Sequence, residues 1–157
     1  MARKMLILGA AVLSFFGLLH FHDTFYSTDL HPADSTLIAN MQVSHIRMGA
    51  EGNVWKLWLG FNAMFGAGLA FIGLANLYLF IRYTGYNGYA RFLLLLTLFT
   101  NAVFLWIGLR LMVAAFAICM GATLLLFATG FTILELSRYR QQDQGSGPLA
   151  VRKLPNV

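Results

Sequence analysis

Long apolar stretches free of charge alternate with short polar ones along the chain. The longest runs without Asp, Glu, Lys or Arg are Met5–His22, Leu57–Ile81, Phe92–Leu109 and Leu111–Leu134. A helix needs about 20 apolar residues to cross the hydrocarbon core of a bilayer, so each run predicts one crossing. The expected helices cover about 5–21, 55–81, 91–108 and 111–136. Backbone that meets lipid must satisfy its own polar groups, which here means helix. The expected fold is therefore all-α, an integral membrane four-helix bundle spanning residues 1–140. Only Gly108-Leu109-Arg110 separates the third run from the fourth. At about 1.5 Å per residue the stretch from Phe92 to Leu134 is too long for one crossing, so a tight hairpin falls there.

The connections carry their own signals. In the longest one, 22–53, Pro32-Ala33-Asp34-Ser35 reads as a helix start and Gly49 as a stop. Between them Leu37, Ile38, Met41, His45 and Met48 recur at three- and four-residue steps. This spacing predicts a short amphipathic helix lying on the outer membrane surface and capping the bundle. Trp55 and Trp58 mark one end of the second crossing, and Tyr83, Tyr86 and Tyr89 follow its other end. Amphipathic rings favour the headgroup level at such positions. The connection Arg82–Tyr89 contains an Asn87-Gly88 turn signal. After Arg140 the run from Gln141 to Pro148 lacks apolar periodicity, so residues 141–157 are expected to form a disordered cytoplasmic tail.

Composition agrees with this pattern. Hydrophobic residues make up 59% and charged ones 11%, against about 25% charged in soluble domains. A soluble enzyme and a disordered chain are excluded. The net charge of +5 reads as an orientation signal. Arg3, Lys4, Arg82, Arg91, Arg138, Arg140, Arg152 and Lys153 fall on one side of a four-pass chain, against Arg47, Lys56 and Arg110 on the other. Such a bias places both termini in the cytoplasm, and the basic residues then meet anionic headgroups, with no role for nucleic acid. The first run ends in Leu19-His20-Phe21-His22 with no small-residue cleavage pattern, so it is expected to stay as a first helix. Cys119 is the only cysteine, which excludes an intrachain disulfide or a C-x-x-C pair and leaves a small apolar packing residue.

Helices associate in lipid through small residues and buried polar contacts. Asn62, Gly66, Leu69, Gly73 and Asn76 lie on one face of the second crossing, with Gly66–Ala70 as a small-xxx-small pair. Thr97, Asn101, Phe104 and Gly108 repeat this on the third, and Ala10, Ser14 and Gly17 on the first. The fourth offers Ala117 with Gly121, or alternatively a face with Cys119, Thr123 and Gly130. The bundle interior is expected where these stripes meet.

Candidate ligand-binding residues are Asn62, Asn76, Asn101 and Arg110. The asparagines either bridge helices, at about 1 kcal/mol each, or line a polar cavity. Arg110 either snorkels and pairs with an outer-loop acid, or anchors an anionic ligand or headgroup. Glu135 is expected to face Arg138 as an interfacial charge. A candidate metal set, His20, His22, His31 and His45, collects in the outer connection with Asp23, Asp34 and Glu51. Imidazoles and carboxylates together can bind zinc, copper or iron, or shuttle protons. However, His20 and His22 would leave a helix on different faces, and the motifs of bis-His haem and di-iron sites are missing. The runs also lack the deep carboxylate of a coupled transporter. Met41, Met48, Met64, Met112 and Met120 are spread as packing residues rather than as a copper path.

The segment Trp55-Lys56-Leu57-Trp58-Leu59-Gly60-Phe61-Asn62, followed by Phe65-Gly66-Ala67-Gly68, resembles a stretch of small four-pass bacterial membrane proteins, DoxX-like in plan. The resemblance implies the four-pass architecture and draws attention to the outer end of the second helix; it implies no activity, cofactor or substrate. The expected function is that of a non-catalytic protein of the bacterial inner membrane. It would act by packing, as an accessory subunit of a membrane complex or a binder of a small lipophilic ligand, without a cofactor. Its partners would be the bilayer and other membrane subunits or further copies of itself. The alternative is a membrane enzyme or redox factor acting on a lipid-soluble substrate, with an outer-face histidine and carboxylate site holding a metal or meeting a quinone.

Overall fold

A computed structural model describes residues 1–47, 49–82 and 88–145. The elements are α1 (Ala2–Tyr26), α2 (Ser35–Val43), β1 (His45–Ile46), β2 (Gly49–Asn53), α3 (Val54–Arg82), α4 (Gly88–Leu111) and α5 (Ala114–Gly145). Helices α1, α3, α4 and α5 are each long and apolar enough to cross a membrane. Helices α1, α3 and α4 each contain one uncharged run and extend beyond it at both ends, whereas α5 starts at Ala114, inside its run, because Leu111 ends α4 and Met112 and Val113 make the connection. Large apolar side chains such as Phe15, Phe71, Phe99, Trp106, Ile118 and Leu125 point outward and stay exposed. An apolar girdle of that extent is incompatible with a water-facing surface. The protein is an all-α multi-pass membrane bundle.

The four long helices run alternately up and down, so both ends of the described chain lie at one end of the bundle. Arg3 confirms this arrangement by donating from Nε to the Phe80 carbonyl at 2.6 Å and from Nη2 to the Ile81 carbonyl at 2.7 Å. These are carbonyls of the last turn of α3, which lack intrahelical partners and attract a cation. Arg82, Arg91, Arg138 and Arg140 lie at the same end, called here the basic end. The opposite, or loop, end carries the α1–α3 connection and the α4–α5 hairpin.

Packing around the bundle is uneven. Helix α1 packs most extensively on α3, then on α5; α5 in turn packs on α4, whereas α3 and α4 scarcely touch. Glycine explains the closest of these contacts. A Cβ on Gly17 would lie 2.8 Å from the Gly66 carbonyl oxygen, and one on Gly66 would lie 2.7 Å from the Phe21 nitrogen. Further along the helices, Gly73 faces Ser14 with the same lack of space. The expected stripes Ala10-Ser14-Gly17 and Gly66-Leu69-Gly73-Asn76 are both buried and meet along this crossing. On α4 the buried face is Ala90, Leu94, Thr97, Asn101 and Gly108, as the stripe predicts apart from half-buried Phe104. On α5 the second of the two expected faces is the inward one, with Phe116, Met120, Thr123, Phe127 and Gly130 buried and Ala117 and Gly121 at its margin.

Two expectations need correction. The surface helix starts as read, with the Asp34 carboxylate accepting from the Thr36 amide at 2.8 Å, but it ends at Val43 rather than near Gly49. The chain then forms the antiparallel pair β1–β2, with His45 opposite Asn53 and Ile46 opposite Gly49. Asn53 binds both neighbours of this hairpin, donating to the Gln42 carbonyl and accepting from the Lys56 amide, each at 2.8 Å. Those bonds provide partners that a longer helix would have had to find in solvent. Met48, on the expected stripe, lies outside the described residues, as do Tyr83, Tyr86 and 146–157. The second correction concerns the tail: α5 continues to Gly145, because glutamine is a good helix former that requires no apolar face.

Candidate functional site

At the loop end the helices splay around a chamber of about 590 Å³, within the range of small-molecule sites. Its walls come from Phe16, Leu19 and His20 of α1, Trp58 and Asn62 of α3, and Phe116 of α5. Asp23, Asp29 and His31 form the rim, with the α4–α5 hairpin opposite. A second space of about 320 Å³ lies between α3 and α4, where the bundle is open, and shares Asn62, Met112 and Phe116 with the chamber. The two spaces therefore adjoin each other at these three residues.

One polar pair stands in this apolar lining. His20 Nε2 and Asn62 Oδ1 are 3.2 Å apart, and the Asn62 amide nitrogen donates to the Trp58 carbonyl at 2.9 Å. Three constraints position the imidazole. The helix backbone fixes its root, since Thr24 Oγ1 bonds the His20 carbonyl at 2.8 Å. Phe65 stands edge-on to the ring, centroids 5.2 Å apart, and Phe16 lies tilted at 6.4 Å. Phe65 in turn contacts Phe104 and Phe116 at 5.8 and 5.4 Å between centroids, so an aromatic cluster encloses the polar pair. Such a site can hold a flat or chain-like apolar body and align one polar group.

The four histidines are divided. His20 and His31 both border the chamber. His31 stands edge-on to Trp55 at 4.9 Å, beside the stacked Trp55–Trp58 pair, whose rings are 5.3 Å apart. His22 leaves the helix on another face, as the two-residue spacing predicts, and binds Asp23 at 3.0 Å. His45 lies on β1, exposed. Among the described residues no three His, Cys, Asp or Glu side chains form a group that could hold a metal.

The remaining candidates are elsewhere. Asn76 donates to the Ile72 carbonyl and to Thr97 Oγ1, both at 2.9 Å, joining α3 to α4. Asn101 donates to the Thr97 carbonyl and accepts from Thr123 Oγ1, each at 3.0 Å, joining α4 to α5. Both amides thus bridge helices, although Asn76 also borders a cleft of about 260 Å³ in the α3–α4 seam. Arg110 is exposed in the last turn of α4, and among the described residues it has no acidic partner. Glu135 pairs with Arg91 of α4 at 3.0 Å, and Arg138 borders the same cleft.

Sequence reading misses the aromatic cluster. Phe16, Phe65, Phe104 and Phe116 belong to four different helices, and no periodicity within one helix connects them. The His20–Asn62 pairing does carry a signal. His20 lies three residues past Gly17 and Asn62 four before Gly66, so a Gly17–Gly66 contact between antiparallel helices brings the next turn of each together. No family model matches the chain, and no curated protein or solved structure resembles it.

Proposed function

We propose that this protein binds a small lipophilic ligand in the loop-end chamber, with the ligand's apolar body among Phe16, Phe65 and Phe116 and its polar group at His20 and Asn62. The observation that carries this reading is a half-buried polar pair inside an aromatic chamber that adjoins a second space between α3 and α4. Burying a polar pair in an apolar site is costly unless its hydrogen-bonding capacity is used. A space in the α3–α4 seam beside the chamber suits a molecule that partitions into the bilayer before it binds. The basic end, with Arg3, Lys4, Arg82, Arg91, Arg138 and Arg140, belongs in the cytoplasm of a bacterial inner membrane on this reading, and the chamber then faces the periplasmic leaflet.

The test is mass spectrometry of the protein extracted with its native lipids. A small apolar molecule should co-purify with the natural protein and be lost from Ala115→Trp, which places a bulky ring in the chamber. An empty natural protein, or equal retention by the filled variant, would remove the basis of the proposal.

A further inference from the structure

The hydrogen bonds around His20 determine which kind of polar group the chamber can receive. The carbonyl of Trp58 can only accept, so the Asn62 atom 2.9 Å from it must be the amide nitrogen. The other end of that carboxamide, the oxygen, therefore faces His20 Nε2 at 3.2 Å. This oxygen also only accepts, so Nε2 must carry the hydrogen. In the neutral imidazole the remaining nitrogen, Nδ1, then has a free lone pair and no hydrogen. Among the described residues no group bonds Nδ1 and no buried side-chain nitrogen or oxygen lacks a partner, so Nδ1 is not sealed off and can be reached from the chamber that His20 lines.

We infer that the chamber selects a lipophile whose polar group is a hydroxyl, donated to His20 Nδ1, over one that offers only a carbonyl or ether oxygen. The inference rests on the ligand-binding reading and narrows it. A ketone or ether oxygen placed at Nδ1 would meet that lone pair with no hydrogen between them and would gain no bond there. A hydroxyl supplies that hydrogen. The edge-on Phe65 and the tilted Phe16 and Phe116 surround the same spot with ring surfaces. An aromatic hydroxyl, of phenol or quinol type, and an aliphatic alcohol share the chemistry that Nδ1 reads.

The experiment uses the full chain in lipid nanodiscs, with empty nanodiscs correcting for partition. Binding of para-octylphenol, its methyl ether para-octylanisole, and para-octylcyclohexanol is followed through tryptophan fluorescence, since Trp58 lines the chamber. The phenol should bind at least about tenfold more tightly than the ether. His20→Phe, which keeps a ring but removes Nδ1, should bring the two within about twofold. Cyclohexanol binding equal to the phenol would identify an aliphatic alcohol as the ligand class, and weaker binding a phenol or quinol; both outcomes retain the hydroxyl. Equal affinity of phenol and ether in the natural protein would overturn the inference while leaving the chamber a lipophile site. Failure of all three probes to bind would overturn both. Nitrogen-15 spectra of histidine-labelled protein give a readout independent of any ligand: the hydrogen should be on Nε2 of His20, and a hydrogen on Nδ1 would refute the inference directly.

Discussion

Gly66 and Gly68 lie two residues apart in one helix and should respond oppositely to the same added methyl group. A Cβ on Gly66 would sit 2.7 Å from the Phe21 nitrogen, 2.9 Å from its Cα and 3.1 Å from the Gly17 carbonyl oxygen. All three are backbone atoms, so no side chain can rotate away. Restoring ordinary contact requires α1 and α3 to separate by about 0.7 Å along their most extensive interface, and overpacking of this kind costs about 1–3 kcal/mol. Replacing glycine by alanine inside a helix returns about 1 kcal/mol. Gly66→Ala should therefore destabilise by up to about 2 kcal/mol once both effects are counted. A Cβ on Gly68 meets nothing within 4 Å, so Gly68→Ala keeps only the helix gain and should be neutral or more stable by up to about 1 kcal/mol. Reversible unfolding in mixed micelles, with both variants and the parent under one condition, measures the difference. If Gly66→Ala matched or exceeded Gly68→Ala in stability, the glycine-mediated crossing of α1 and α3 would be wrong.

Three further outcomes follow from the polar contacts and the topology. Asn101→Leu and Thr123→Val should each lose about 1 kcal/mol, with a coupling energy of about 0.5–1.5 kcal/mol in a double-mutant cycle, because they remove one interhelix bond between α4 and α5. Glu135→Gln should cost under about 1 kcal/mol and less still at high salt, since its Arg91 partner is nearly half exposed; a larger, salt-insensitive loss would contradict the surface-pair assignment. Single cysteines placed in a Cys119→Ala background near residues 2 and 144 should label from one side of the membrane, and one at Asn53 from the other. Labelling of residues 2 and 144 from opposite sides would break the four-pass topology.

Much of the architecture is legible because crossing lipid imposes a rule on every residue of a span. A run such as Leu57–Ile81 has almost no place in a water-soluble fold, and the glycines of α3 appear at helical spacing on one face. The inward face of α5 is less legible. Small residues occur on both of its faces, and the buried one is built mainly from the large side chains of Phe116, Met120 and Phe127. The hairpin β1–β2 is not legible, because two- and five-residue strands carry too little pattern to compete with an apolar stripe that continues through His45. Glu135 shows the same limitation: its nearest cation in sequence is Arg138, but α4 brings Arg91 within ion-pair distance. Of the candidate site, Asn62 and His20 stand out as residues but in separate roles, a helix bridge and a metal ligand. Their pairing needs the register between α1 and α3, which Gly17 and Gly66 set.

The near-absence of backbone contact between α3 and α4 divides the molecule into two consecutive helical hairpins, α1 with α3 and α4 with α5, joined mainly where α1 meets α5. Each hairpin contains its own two crossings and can enter the bilayer as a unit. A chain severed within residues 83–87 should consequently reassemble from two separately expressed fragments, since the interface that holds them together does not depend on the covalent link. The protein is in this sense already a pair of complementary fragments that a single short connection keeps at equal dose.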